Sequence, residues 1–222
     1  MNKTLIIIII IYSCQSISQS STNLVATMNK TNNTLAERLE SNHYGDFYNY
    51  ALQEQIIQQV WAEVGGVGPL KAIVLTEEVS NKARLIAHEI LLKKEFTYLR
   101  AKDVDISVIA QIYATALAQN TTGMANSWGL LYEHDDMGPV GYFFGHLGEE
   151  GIAALVPLLD DQNIYLYHGS EAATVGNAYQ FQVRDFAAYY ISEILNEPSL
   201  YQADRAARDK EIECLKLLVQ KR

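Results

Sequence analysis

Two segments of this 222-residue chain carry the same order of apolar side chains, and this internal repeat constrains the fold more than any other feature. Each segment has an apolar pattern at helical spacing, a break, and then a second helical pattern. The corresponding positions are Leu70, Ile73, Val74 and Leu155, Leu158, Leu159 in the first helices, and His88-Glu89-Ile90-Leu91 and Ser192-Glu193-Ile194-Leu195 in the second helices. Apolar residues three and four positions apart share one face of an α-helix. The repeat therefore predicts two helical hairpins, the second opened at its turn by an insertion at 162–180.

The remaining apolar patterns also have helical spacing. They predict further helices over 47–64, 106–117 and 201–220, and they extend the second helix of the second hairpin over about 182–195. Ser80 and Asp105 are expected as N-cap residues, because their side-chain oxygens can accept hydrogen bonds from the first backbone N–H groups of a helix. No stretch alternates between apolar and polar residues for long enough to predict a β-sheet. We therefore expect an all-α fold, and the hydrophobic content of 49% is sufficient for the core of one domain.

The second hairpin carries a set of motif residues in a recognisable order. They are Leu147-Gly148-Glu149 before the first helix, Leu158-Leu159-Asp160-Asp161 at its end, and Val183-Arg184 with Ala187-Ala188 in the second helix. This order resembles the HEAT-like repeat family. The first hairpin departs from the pattern at Thr76, where the pattern has aspartate, and at Ser80, where it has arginine. Its resemblance rests mainly on its second helix.

The resemblance implies an α-solenoid, in which HEAT-like helical hairpins stack side by side with capping helices and one long insertion. Each hairpin alone would leave an apolar face exposed, and its neighbour would cover that face. The helices over 47–64 and 201–220 are expected to cap the two ends. We also expect Arg184 to pair with Asp160 or Asp161 at the turn. Because the motif residues serve packing and turns, the resemblance implies no particular chemistry.

The N-terminus is typical of an export signal. Met1-Asn2-Lys3 is followed by an apolar run that is too short to span a membrane, so residues 1–13 are predicted to be a cleaved signal peptide. Ile11-Tyr12-Ser13-Cys14 resembles the lipobox of bacterial lipoproteins, although Tyr12 departs from the small or aliphatic residue usual there. The resemblance implies that Cys14 is lipidated and anchors the chain to a bacterial membrane, facing the periplasm. The alternative is cleavage a few residues later, near Ser18, which would give a secreted protein.

The expected mature chain is one domain on a tether. Residues 14–34 are rich in Ser, Thr, Asn and Gln, which is typical of a flexible tether, and residues 35–222 form the single α-helical HEAT-like domain. Cys214 would be the one thiol left beside Cys14, so no disulfide is expected within the domain. The net charge of −9 argues against nucleic-acid binding, which needs clustered cations.

Two irregular segments are the predicted partner-binding surface. Loop 120–138 and insertion 162–180 both lack helical periodicity, and both contain aromatic and polar residues of the kind that bind other proteins. The candidate residues are Trp128, Tyr132, His134, Asp135, Asp136, Tyr165, Tyr167 and His168. The alternative is that the aromatic residues fold back as a lid packed on the solenoid. We expect the partner to be another envelope or periplasmic protein, with inhibition of a toxin or envelope enzyme as a special case.

An enzyme is the second hypothesis. A metal-dependent hydrolase could be centred on His134, Asp135 and Asp136, with His146 or His168 completing the site. His88-Glu89 begins like the H-E-x-x-H zinc signature, but Leu92 occupies the position of the second histidine. No Walker, G-x-G-x-x-G or G-x-S-x-G motif is present, so no cofactor is expected.

Overall fold

The structure, a computed structural model, describes residues 34–41, 46–48, 50–133, 136–198 and 203–221. Within these residues it is all-helical, as predicted, and contains no β-strand. The α-helices are α1 (34–40), α2 (Tyr50–Val64), α3 (Val67–Leu75), α4 (Asn81–Lys94), α5 (Ile106–Ala118), α6 (Gly141–Phe144), α7 (Gly148–Leu155), α8 (Ser170–Gly176), α9 (Val183–Leu195) and α10 (Arg205–Gln220). The predicted signal peptide, Cys14 and nearly all of the predicted tether lie outside the described residues.

The longer helices pack in chain order. α3 and α4 form a hairpin, α4 packs against α5, α5 against α7, α7 against α9, and α9 against α10. Their contact faces are the apolar stripes of the sequence, since Leu70, Ile86, Ile109, Leu155 and Phe186 are all completely buried. Each such side chain removed from water contributes about 1.5–3 kcal/mol to folding. One continuous core therefore runs from α2 to α10.

Helices α4, α5 and α9 begin at side chains that cap their first backbone N–H groups, and two of these caps were predicted from the sequence. The Ser80 hydroxyl oxygen accepts a hydrogen bond from the Ala83 N–H at 3.3 Å, and the Asp105 carboxylate accepts one from the Ser107 N–H at 2.9 Å. Both predicted N-caps are therefore confirmed. α9 begins with a capping box, in which the Gln182 N–H donates to the Asp185 carboxylate at 2.7 Å.

The two repeated segments both form helix pairs, but the pairs differ. α3 is joined to α4 by the short turn 76–80, whereas α7 continues into a 3-10 helix, Val156–Asp160, before the insertion. The insertion contains α8, which its short apolar pattern did not predict. Ile90 and Leu91 at the end of α4 are completely buried, while the corresponding Ile194 and Leu195 at the end of α9 are only partly buried. The matched sequences therefore lie in different surroundings.

The expected pairing of Arg184 with Asp160 or Asp161 is wrong. The Arg184 guanidinium donates to Asp209 of α10 at 2.6 Å, and Asp160 pairs instead with Lys216 of α10 at 2.6 Å. Arg184 contacts Asp161 only through the backbone, where its N–H donates to the Asp161 carbonyl at 3.0 Å. The reason is that α10 packs beside this turn and supplies closer partners for both side chains.

A buried ion pair joins α9, α10 and the insertion. Arg208 of α10 donates through Nε to the Asp185 carboxylate at 3.2 Å, and both side chains are almost completely buried. The same guanidinium donates to the Ala203 carbonyl at 3.1 Å and to the Tyr179 carbonyl at 2.7 Å. It also lies 4.9 Å from the centre of the Phe181 ring. One side chain thus fixes three parts of the chain relative to one another.

Replacing Arg208 alone should destabilise the protein strongly. Arg208→Met leaves the Asp185 carboxylate buried without its cation, and we expect the free energy of unfolding to fall by about 3–5 kcal/mol. The double variant Arg208→Met/Asp185→Asn removes the charge as well, so it should lose less than the sum of the two single variants. Urea unfolding followed by circular dichroism measures all three values. Strict additivity would contradict the pairing.

Candidate functional site

Loop 120–138 and insertion 162–180 lie against each other in the structure. The Ala125 N–H donates to the Leu166 carbonyl at 3.0 Å. The Asn126 side chain bonds both backbone groups of His168, accepting from its N–H at 2.9 Å and donating to its carbonyl at 3.1 Å. These bonds tie the backbones of two segments that are about 40 residues apart in sequence. The two predicted segments therefore form one continuous surface.

The buried Tyr167 side chain adds two hydrogen bonds between the insertion and the loop. Its hydroxyl donates to the Gly129 carbonyl at 3.0 Å and accepts from the Leu131 N–H at 3.1 Å. Gly129 has a φ of 118°, and a Cβ atom there would lie 2.0 Å from the Asp136 carbonyl oxygen. Only glycine permits this close approach of backbone to backbone. The backbone at Gly129 and Leu131 is thus bound to the insertion through one side chain.

The predicted binding residues fall into two groups. Trp128, Tyr165 and Tyr167 are buried, where their rings pack in the core. Tyr132 and Asp136 are partly buried and His168 is exposed, so these three reach the surface. His134 and Asp135 lie outside the described residues. The buried rings pack back on the helical core, as a lid would, while the other three side chains stay at the surface.

The exposed apolar residues of this surface were not singled out from the sequence. Ile164 and Leu166 are each 52% exposed, and they alternate with the buried Tyr165 and Tyr167 along an extended stretch. Val175 of α8 is also exposed. The period-two alternation at 164–167 was the available signal, but four residues are too few to separate it from chance.

The residues of the enzyme hypothesis are dispersed where the structure describes them. Asp136 accepts a hydrogen bond from the Gly138 N–H at 2.7 Å, and the ring of His146 bonds the Tyr142 carbonyl at 2.6 Å. In the described part of the chain, no three His, Cys, Asp or Glu side chains come together in a group suited to a metal ion. Because His134 and Asp135 are not among these residues, the hydrolase remains a prediction.

A groove of about 390 Å³ lies between α9 and α10. Its walls include the apolar side chains of Ala188, Ile212 and Leu215, and Cys214 also contributes to its lining. Cys214 is a free, exposed thiol. The groove is built from elements other than those of the predicted binding surface.

A buried polar cluster was not predicted from the sequence. His88 and Glu89 of α4 are both buried, in a helix face that is otherwise apolar. The Glu89 carboxyl accepts a hydrogen bond from the Tyr113 hydroxyl, and His88 Nδ1 is hydrogen-bonded to the Tyr98 hydroxyl. The His88 ring also packs against Phe143. The sequence showed the His-Glu pair, but its surroundings come from α5, α6 and the Phe96–Arg100 turn.

Burial shifts the pKa of each group in the direction that favours its uncharged form. Loss of water raises the pKa of Glu89 to about 7, although the hydrogen bond from Tyr113 and the charge of Lys93 act in the opposite direction. Loss of water also lowers the pKa of His88 to about 3. Near pH 6 both side chains are therefore uncharged in the folded protein.

Comparisons with known proteins give no relative for this fold or this site. No family model, no curated protein and no solved structure matches the chain significantly. Among the described helices, none combines the length and apolar character needed to cross a bilayer.

The buried Glu89 carboxyl should make the free energy of unfolding fall as the pH rises. The pKa of Glu89 rises from 4.5 to about 7 on folding, so the stability that its neutral form contributes is complete below about pH 4.5 and is lost as the pH rises to about 7. His88 acts oppositely, because its pKa falls from 6.5 to about 3 and its contribution is lost as the pH falls through that range.

We therefore expect Glu89→Gln to gain stability relative to the wild type as the pH rises from about 4.5 to about 7. Urea unfolding at several pH values measures the difference in unfolding free energy between the two proteins. Glu78→Gln, which changes an exposed carboxylate, serves as the matched control and should show a much smaller pH-dependent difference. A pH-independent difference for Glu89→Gln would contradict the raised pKa.

Proposed function

We propose that this protein is a non-enzymatic binding or scaffold module of the cell envelope, and that it engages a protein partner through loop 120–138 and insertion 162–180. The observation that carries the proposal is the hydrogen-bonded union of these segments, which holds the exposed side chains of Ile164 and Leu166 on a fixed backbone. Large apolar side chains that are exposed on an ordered surface favour protein binding, because little conformational entropy is lost on association.

The polar surroundings suggest the chemistry of the partner. Partial burial of Tyr132 raises its pKa most, and the charges of Glu133, Glu171 and Asp136 raise it further. Carboxylates from both segments therefore lie near one aromatic side chain. A partner with basic residues around an apolar contact would complement this surface. Inhibition of an envelope enzyme or toxin is one form that such binding could take.

The architecture that we propose for the module is a HEAT-like α-solenoid. Two observations support it, namely the repeated sequence pattern of the two helix pairs and the packing of successive longer helices from α3 to α10. In such folds, insertions commonly supply the binding surface. The insertion between α7 and α9 would have that role here.

The location that we propose is a bacterial membrane facing the periplasm. The support comes from the sequence, in which an export signal at 1–13 is followed by Cys14 and a polar tether at 14–34. A lipid on Cys14 would hold the domain near the membrane, and the tether would let the surface reach its partner.

The binding proposal is tested by capture from the native envelope fraction with matched variants. Leu166→Ser removes an apolar side chain that is 52% exposed on the proposed surface, and Phe96→Ser removes one that is 55% exposed elsewhere. We expect Leu166→Ser to weaken binding of the captured partner about tenfold, which corresponds to about 1.4 kcal/mol, and Phe96→Ser to leave it unchanged. Equal binding by the wild type and both variants would refute the proposed surface.

The anchoring proposal is tested on the mature N-terminus. Mass spectrometry should find the chain beginning at a lipid-modified Cys14, and Cys14→Ala should move the protein from the membrane fraction to the soluble fraction. A mature chain that begins after Cys14, near Ser18, and carries no lipid would refute the anchor and support secretion.

A further inference from the structure

The Glu89–Tyr113 hydrogen bond connects two helices in the core. Glu89 lies on α4 and is 5% exposed, and Tyr113 lies on α5 and is completely buried. The Tyr113 hydroxyl donates to the Glu89 carboxyl. This hydrogen bond therefore joins the Tyr113 ring directly to the Glu89 carboxyl.

The Tyr113 ring in turn supports the loop of the proposed binding surface. Its centre lies 6.4 Å from that of the Trp128 ring, at an interplanar angle of 87°, and 5.5 Å from that of Phe143. Trp128 belongs to loop 120–138 and is completely buried. Its indole N–H donates to the Thr122 hydroxyl at 3.2 Å. A path of direct contacts thus leads from Glu89 through Tyr113 to the loop.

The surroundings of Glu89 suit a neutral carboxyl. Tyr113 faces it from α5, Tyr98 from the Phe96–Arg100 turn and Tyr48 from the Asp46–Tyr48 turn, while His88 and Lys93 lie beside it on α4. Lys93 is the one cation among these groups, and its side chain is exposed. An ionised Glu89 would therefore lie among phenol groups and a neutral imidazole.

We propose that Glu89 and Tyr113 form a proton-controlled latch between α4 and loop 120–138. The neutral carboxyl holds the Tyr113 hydroxyl and keeps the ring packed against Trp128. When the carboxyl loses its proton, the charge draws the Glu89 side chain toward Lys93 and water, because one hydrogen bond does not offset the loss of hydration. Tyr113 is then released, and the loop loses part of its support.

The latch would operate near neutral pH, since burial raises the pKa of Glu89 to about 7. His88 stays neutral throughout this range, because burial lowers its pKa to about 3. The consequence for the partner, namely weaker binding at higher pH, rests on the proposed function of loop 120–138. The movement of the loop itself does not.

The fluorescence of Trp128 tests the latch in the protein alone. The chain has two tryptophans, so Trp61→Phe gives a protein in which Trp128 is the single reporter. As the pH rises from about 5.5 to about 8.5, we expect its emission maximum to shift to longer wavelength with a midpoint near pH 7. In the same background, Glu89→Gln should keep the low-pH emission throughout, and Glu78→Gln should behave like the parent protein.

A second variant keeps the test decisive if Glu89→Gln does not fold. Tyr113→Phe retains the ring and removes the hydroxyl that the neutral carboxyl holds in the closed latch, so the Trp128 transition should be lost or should move to lower pH. Emission that does not change with pH in the parent protein would overturn the latch. The same would follow if the transition were unaltered in Glu89→Gln or in Tyr113→Phe.

The two proposals fail in different ways. A transition that depends on Glu89, together with unchanged partner capture by Leu166→Ser, would leave the latch standing and refute the proposed surface. Loss of capture by Leu166→Ser without any Glu89-dependent transition would refute the latch alone.

Discussion

The buried pair of Asp185 and Arg208 is the interaction on which the second half of the structure depends. Asp185 closes the capping box of α9, and Arg208 extends from α10 to bind both this carboxylate and the Tyr179 carbonyl of the insertion. Burying two charges costs several kcal/mol, so the arrangement is favourable only because each charge is extensively hydrogen-bonded. The pair fixes the end of the insertion relative to α9 and α10. The same insertion carries Ile164 and Leu166 of the proposed binding surface.

The proposed binding surface consists of hydrogen bonds between the loop and the insertion, and buried aromatic rings lie beneath them. The Asn126 side chain and the Tyr167 hydroxyl satisfy backbone groups of loop and insertion that would otherwise need water. Beneath them, Trp128, Tyr165 and Tyr167 contribute to the core. This division explains how segments without helical periodicity can still be ordered. It also leaves Ile164 and Leu166 outside, on a backbone whose conformation is already determined.

The core also contains the polar side chains of His88 and Glu89, at positions where apolar side chains would avoid the cost of desolvation. His88 and Glu89 occupy the repeat positions that Ser192 and Glu193 occupy in the second pair of helices. Glu193 is exposed, whereas Glu89 is covered by α5 and the turns that carry Tyr48 and Tyr98. The same residue type at the same repeat position is therefore exposed in one pair and buried with a raised pKa in the other. Such a difference is a reason to connect Glu89 with regulation of the neighbouring loop.

The sequence alone predicted the longer helices from α2 onward, because apolar spacing and N-cap hydrogen bonds involve residues only a few positions apart. It placed the caps at Ser80 and Asp105 correctly, and it identified loop 120–138 and insertion 162–180 as the segments without helical periodicity. It could not determine that these segments bind each other, that Arg184 pairs with Asp209, or that Glu89 is enclosed. Those facts depend on contacts between residues far apart in the chain, whose energies are decided by which helix faces meet. Only the tertiary structure brings these partners together.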